Sequence, residues 1–157
     1  MARIGGTLHQ LSVPADALIA DLAGSQHGVV TRRQLLELGV TADALRHRLR
    51  SDRLHRLHPG VYAVGHRALG RDGDLLALLL ACGPTAFLGA RTALAFHRVL
   101  EDRRTSCDVV LPGRGGTRGP DRAIVSRMGT VDWRDVAVVR GIRVATVARA
   151  LVDAAGA

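Results

Sequence analysis

The stretch from Gln26 to Gly65 constrains the fold of this sequence most, because the residues that typically begin and end helices predict two short helices joined by a tight turn. Thr31 precedes an apolar helical run and can accept hydrogen bonds from the free amides of a helix start. Gly39 is typical of the residue that follows a helix C-terminus. Thr41 can cap a second helix over residues 41–51. Two helices separated by a glycine turn predict a helix-turn-helix.

The second predicted helix has an apolar face and a basic face. At about 100° per residue, Ala42, Leu45 and Leu49 share one narrow arc. The opposite side carries four polar residues, which are Asp43, Arg46, His47 and Arg50. We therefore expect the leucines to dock the helix and the basic residues to face outward.

A hairpin follows the two helices. Residues 54–57 (LHRL) alternate apolar and basic residues with the period of a strand, and residues 61–64 (VYAV) alternate again after the Pro59-Gly60 turn. A further helix, predicted from Pro14 to about Ala23, completes a three-helix core. This order of elements predicts a winged helix-turn-helix with a two-stranded wing.

The charge of the same segment points to nucleic acid. Residues 26–66 contain seven arginines and three acidic residues, which gives a net charge of +4. Arginine can contact phosphate or the guanine edge with two hydrogen bonds, and a helix in the major groove is how this fold reads sequence. An ordinary solvated helix with a basic face is the alternative interpretation. Because fold pattern and charge agree, we expect double-stranded DNA as the partner.

The rest of the chain predicts a second domain of mixed structure. A linker at Arg67–Arg71 separates residues 1–66, the winged helix-turn-helix domain, from residues 72–157. The second part predicts a buried helix (72–81), a short strand or the approach to the next helix (86–88), a helix (91–100) and a strand (106–111). A Gly- and Arg-rich loop (112–120), a returning strand (123–126), a hairpin (136–144) and a last helix (147–155) follow. Local hairpins instead of alternating crossover units indicate an α+β fold.

The amino-acid composition limits the classes of protein to which this sequence can belong. The 157 residues are 47% apolar and carry a net charge of +8, which favours a globular protein with a polyanionic partner. Lysine is absent, as is typical of a GC-rich genome, so some arginines stand in for lysine. The two cysteines lack metal-ligand or redox spacing, and we expect free thiols. The first ten residues, MARIGGTLHQ, lack the long apolar run that is typical of a signal peptide, and the most apolar run, residues 75–82, is shorter than the ~20 residues of a membrane helix. We expect a cytoplasmic protein without a membrane partner.

The candidate catalytic and metal-binding patterns are incomplete. Residues 112–120 are rich in glycine but lack the Gly-Lys-Ser/Thr of a phosphate loop, so a mobile hairpin loop is the preferred interpretation. His55 and His58 are not spaced to converge on one metal from a strand and turn. His97 is expected to be a packing residue, and Asp108 lacks the partner acid and lysine of the common nuclease core. We therefore expect no enzyme activity, no metal and no cofactor.

Three motifs, QHGVVTRRQLLELGV, ALRHRLRSDRLHRLHPGVYAVG and GIRVATVARALVDAAG, resemble the AbiEi family of antitoxins. The resemblance implies a winged helix followed by a small α/β antitoxin-type domain, in a protein that represses its own operon. It also implies a nucleotidyltransferase toxin encoded nearby and opposed without a stable complex, the type IV arrangement. Longer relatives continue into a domain similar to very-short-patch-repair endonucleases, and we expect no such domain within these 157 residues.

The residues expected to contact DNA lie on the two helices and the wing. They are Thr31, Arg32, Arg33, Thr41, Asp43, Arg46, His47, Arg50, Arg53, His55, Arg56 and Tyr62. Two other functions remain open from the sequence. One is a remnant or accessory part of a DNA endonuclease, and the other is an interaction module that neutralises a toxin through residues 72–157.

Overall fold

The computed structural model of the chain describes residues 14–113 and 119–156. The elements of the first half are α1 (Ala15–Ser25), β1 (Val29–Thr31), α2 (Arg32–Glu37), α3 (Ala42–Arg50), β2 (Leu54–His58) and β3 (Val61–Val64). Those of the second half are α4 (Arg71–Cys82), β4 (Phe87–Leu88), α5 (Ala90–Phe96), β5 (Cys107–Pro112), β6 (Ala123–Met128), a 3-10 turn (Trp133–Asp135), β7 (Val136–Val139), β8 (Ile142–Ala145) and α6 (Val147–Ala155).

The two helices of the helix-turn-helix begin at the predicted threonines. The Thr31 hydroxyl accepts from the backbone N–H of Gln34 (3.2 Å), and the Gln34 side chain accepts from the backbone N–H of Thr31 (2.8 Å), which is a capping box. Gly39 follows α2 with φ of +82°, a conformation that glycine adopts without strain. Thr41 then caps α3 by accepting from the N–H of Ala44.

The wing contains one strand more than we predicted. β1 pairs antiparallel with β3, which also pairs with β2, so the sheet has three strands in the order β1-β3-β2. The predicted pairing of the two wing strands, β2 and β3, is confirmed. Strand β1 was not predicted, because no strand was assigned to the β-branched run Val29–Thr31 that precedes α2. Such residues fit a half-buried strand, and here they form one.

The three helices of the first half cover one face of this sheet. Ile19 of α1, Leu35 of α2 and Leu45 of α3 pack against Leu54 and Tyr62 of the sheet. All five side chains are buried, so the predicted three-helix core is confirmed.

The second half contains a five-stranded mixed sheet in the order β6-β5-β4-β8-β7. β5 and β6 are parallel, with Cys107 beside Ala123 and Pro112 beside Met128, so the predicted hairpin at this loop was wrong. A six-residue strand is ~20 Å long. The ten-residue connection between β5 and β6 can span up to ~33 Å, which is enough to return to the start of β5.

The other elements of the second half agree with the predictions more closely. Val136–Val139 and Ile142–Ala145 form the predicted hairpin, and Thr146 caps α6. The helix predicted over residues 91–100 ends earlier, because the chain turns at Arg98 with φ of +61°. Val99, which follows this turn, is exposed.

Helix α4 contacts both sheets. Its residues Leu75 and Leu79 lie in the core of the second half, whereas Ala77 packs against Val29 and Val61 of the first sheet. The backbone approaches closely at Gly73, where an added Cβ would lie 2.8 Å from the carbonyl oxygen of His27. We call this contact, formed by Val29, Val61, Gly73 and Ala77, the seam.

Candidate nucleic-acid interface

Helix α3 turns its polar face to solvent. Leu45 is 5% exposed, whereas Asp43, Arg46, His47 and Arg50 are all exposed, as predicted from the helical period. Ala42, which we expected on the apolar arc, is exposed as well, because it lies in the first turn beyond the core contact.

The basic groups on this face differ in their partners. Arg46 lies 3.1 Å from a carboxylate oxygen of Asp43, one turn earlier on the helix, and both side chains are well solvated. In residues 14–113 and 119–156, Arg50 has no carboxylate partner. Exposed ion pairs of this kind are weak, so Arg46 and Arg50 can both exchange their solvent contacts for an anionic ligand.

Asp16 of α1 fixes the position of α3. Arg48 donates to Oδ1 of Asp16 from Nε (3.1 Å) and Nη2 (2.7 Å), and Arg53 donates to Oδ2 (3.2 Å). The hydrogen bond from Arg48 is the main reason that the pKa of Asp16 is lowered; the charges of Arg48 and Arg53 act in the same direction, and burial opposes them. Arg48 therefore has a structural role that sequence reasoning missed, and Arg53 shares it.

The start of α2 lies beside the turn of the wing. The backbone N–H of Arg32 donates to the carbonyl oxygen of Gly60 (2.8 Å). Arg32 and Arg33 are exposed, and Arg33 lies 3.5 Å from Glu37. The hydroxyls of Thr31 and Thr41 are occupied in capping, so these residues hold the helix starts in place.

The strands of the wing separate the predicted residues into two groups. Arg56 of β2 is exposed, and His55 is half-buried with Nε2 3.3 Å from the carbonyl oxygen of Gly65. Tyr62, directly across from Arg56 on β3, is only 4% exposed and packs in the core. Its assignment to the DNA contact was wrong, because β3 is the central strand and both of its faces are covered.

The tip of the wing contacts the second half. His58 is half-buried and lines a cavity together with Arg67, Asp74 and Arg122. Burial is the main cause that lowers the pKa of His58; the charge of Arg122 adds to the effect and that of Asp74 opposes it.

The other side chains considered for chemistry have structural partners. Nε2 of His97 lies 2.9 Å from the carbonyl oxygen of Ala145, which confirms the packing role. Asp108 accepts from the Thr92 backbone and hydroxyl and from Arg104, whose guanidinium also contacts Asp102. Asp108 thus has an acidic neighbour that the sequence did not reveal.

No group of three or more His, Cys, Asp or Glu side chains is placed to bind a metal ion in the described residues. In the same residues, no helix is long and apolar enough to cross a bilayer. Most of the Gly- and Arg-rich loop predicted at 112–120 lies outside the described residues, since residues 114–118 are not among them.

The elements of the first half form a winged helix-turn-helix fold with an exposed basic helix. Residues 17–65 are similar to a family whose model is described as "Transcriptional regulator, AbiEi antitoxin". The predicted resemblance is confirmed for these residues. The match ends at Gly65, so the resemblance that we extend to the end of the chain stays a prediction. A search of curated proteins found no match.

Proposed function

We propose that the chain is a sequence-specific binding protein for double-stranded DNA and that α3 is its recognition helix. The observation that carries this proposal is the exposed face of α3, on which Arg46, His47 and Arg50 lie together while Leu45 anchors the opposite face in the core. Side chains on such a face can reach base edges in the major groove.

The wing and the start of α2 supply the expected phosphate contacts. Arg32, Arg33, His55 and Arg56 lie outside the core and carry or can carry positive charge. Contacts of this type position a protein on the duplex without reading its sequence. Asp43 supports Arg46, and Arg53 contributes through its exposed guanidinium while it also contacts Asp16.

The family match supports a regulatory role, and we infer that the protein represses its own operon. We also infer that it acts in the cytoplasm. We further propose that the operon encodes a nucleotidyltransferase toxin that is opposed without a stable complex. In this proposal residues 1–66 are the DNA-binding domain and residues 72–157 are the antitoxin-type domain.

The nuclease alternative has less support. The Oδ2 atom of Asp108 accepts three hydrogen bonds, two from Thr92 and one from Arg104, so this carboxylate already serves the structure. We therefore expect a plasmid incubated with the purified chain and magnesium or manganese to remain uncut.

A gel shift with the DNA upstream of the chain's own gene tests the proposed function. Arg50→Ala should weaken specific binding by about 1–3 kcal/mol if Arg50 contacts a base edge, and thermal stability should not change. Arg134→Ala is the matched control, because Arg134 is also exposed but lies in the 3-10 turn of the second half. Equal affinities of the two variants would contradict the assignment of α3.

A further inference from the structure

A cleft lies where the wing meets the second half. Its smaller part, about 130 Å³, is lined by Leu57 and His58 of the wing, by Arg67 of the linker, and by residues of α4, β5 and the start of β6. An adjoining cavity of about 320 Å³ shares Asp74 and Arg122 with it and adds Arg71. The two cavities share these lining residues, and we call them together the wing cleft.

Three arginines of the wing cleft lack carboxylate partners. In the described residues, no ion pair involves Arg67, Arg71 or Arg122, whereas Arg104 at the far end is shared by Asp102 and Asp108. The backbone carbonyl of Thr105 accepts from Nε of Arg122 (2.9 Å), which orients that guanidinium and uses one of its five N–H donors. Asp74 offsets one of the three positive charges, so the cleft retains a surplus.

Guanidinium groups without carboxylate partners at the border of a cavity are best suited to bind a phosphate group. A phosphate group offers several acceptor oxygens and a negative charge, and arginine binds it with parallel N–H···O hydrogen bonds. His58, whose pKa is lowered, adds a neutral ring that can donate one more hydrogen bond.

We propose that the wing cleft is a phosphate-binding site formed by Arg67, Arg71, Arg122 and His58. Two sources supply such a group: the DNA backbone that runs beside the wing, and a small phosphorylated molecule. The possibility that the phosphate belongs to the DNA backbone rests on the proposed function, whereas the possibility of a small phosphorylated molecule does not. Because residues of both halves line the cleft, an occupant would tie the position of the wing to the second half.

The first experiment measures thermal stability of the full chain with increasing pyrophosphate. We expect stabilisation of the wild type that is reduced in Arg122→Ala and Arg67→Ala and retained in Arg134→Ala. Asp74→Asn should strengthen the response, because it removes the negative charge from the cleft.

The second experiment measures binding of the full chain to a duplex of unrelated sequence at several salt concentrations. If Arg122 contacts a backbone phosphate, Arg122→Ala should flatten the log–log salt dependence by about 0.9 relative to the wild type. Arg134→Ala should leave the slope unchanged.

The outcomes separate the two sources and the two proposals. A pyrophosphate response that depends on Arg122, with an unchanged salt slope, assigns the cleft to a small phosphorylated ligand. A changed slope without a pyrophosphate response assigns it to the DNA backbone. If Arg122→Ala and Arg67→Ala behave like Arg134→Ala in both experiments, the wing cleft is not a phosphate site. That result would leave the role of α3 intact, since Arg50→Ala tests it independently.

Discussion

Two groups of arginines in the molecule have different surroundings. On α3 and the wing, Arg50 and Arg56 are exposed and without carboxylate partners among the described residues. In the second half, Arg104 contacts Asp102 and Asp108, Arg140 contacts Asp72, and Arg149 contacts Asp135 and Asp153. The first group can exchange water for a ligand, whereas the second group joins elements of the fold.

This difference shows that counting arginines overstates the area available to DNA. Residues 103–143 contain nine arginines and four acidic residues, and this surplus predicted additional electrostatic contact from the second half. The structure assigns several of these arginines to internal partners; Arg140, for example, contacts Asp72 and lies 4.2 Å above the ring of Phe96. The sequence does not give these internal partners, so it cannot separate a structural arginine from one that is available to DNA.

The largest predicted effect tests whether the two halves are separate at all. Leu88 is fully buried in β4, so Leu88→Ala should lower the free energy of unfolding by about 2–5 kcal/mol. Because Ala77 of α4 covers Val29 and Val61, loss of the second core should expose the first sheet too. Denaturation followed by fluorescence of Trp133, the single tryptophan, and by hydrogen exchange of the β3 amides checks this.

In this experiment, both signals should shift together. If the β3 amides keep wild-type protection while Trp133 reports unfolding, residues 1–66 are independently stable and the seam contributes little. A conservative Leu88→Met variant is the control, since a swap of similar volume usually costs less than about 1.5 kcal/mol.

The next effect separates structural from ligand-binding arginines. Arg104→Ala would leave two carboxylates without their shared cation, Asp102 at 7% and Asp108 at 15% side-chain exposure. Removing one partner of a buried pair costs about 3–5 kcal/mol, and we expect the lower end or less because Arg104 itself is 35% exposed and partly screened. Thermal denaturation measures the loss.

Arg104→Ala and Arg50→Ala should have opposite effects on stability and DNA affinity. Arg104→Ala should lose stability and keep DNA affinity per folded molecule, whereas Arg50→Ala should lose affinity and keep stability. If Arg104→Ala melts like the wild type, the network around Asp108 is not structural and its carboxylates become candidates for another role.

Local signals in the sequence predicted local structure well. Thr31 and Thr41 cap helices as expected, and Arg140 and Gly141 form the turn of the predicted hairpin with φ of +50° and +76°. These features depend on a few neighbouring residues, so their chemistry is visible in the sequence.

The features that sequence reasoning missed depend on distant parts of the chain. The alternation in residues 61–64 predicted a strand with one solvent face, but the helices cover Tyr62 and α4 covers Val61. Likewise, alternation in β5 and β6 predicts strands without giving their direction. The Asp16–Arg48 pair joins residues 32 positions apart, and no local pattern reveals it.

The smallest predicted effect concerns this pair, which joins α1 to α3 through a structural arginine. Asp16→Asn removes the charge that Arg48 and Arg53 share, and because Asp16 is 56% exposed we expect a loss of at most ~1 kcal/mol in the free energy of unfolding. DNA affinity should fall slightly, since α3 is then held less firmly. Chemical denaturation of wild type and variant at pH 7 measures the difference.

The pH dependence of that difference provides the internal control. The pKa of Asp16 is lowered in the folded chain, mainly by the hydrogen bond from Arg48, so its contribution is fully present above the ordinary aspartate pKa of about 4. The contribution is lost as pH falls through the lowered pKa, because the protonated carboxyl no longer attracts the two arginines. The wild type and Asp16→Asn should therefore differ at pH 7 and converge once the pH has fallen below the lowered pKa of Asp16. A difference that stays constant over this range would mean that the variant acts through packing, and that Asp16 does not hold α3 by its charge.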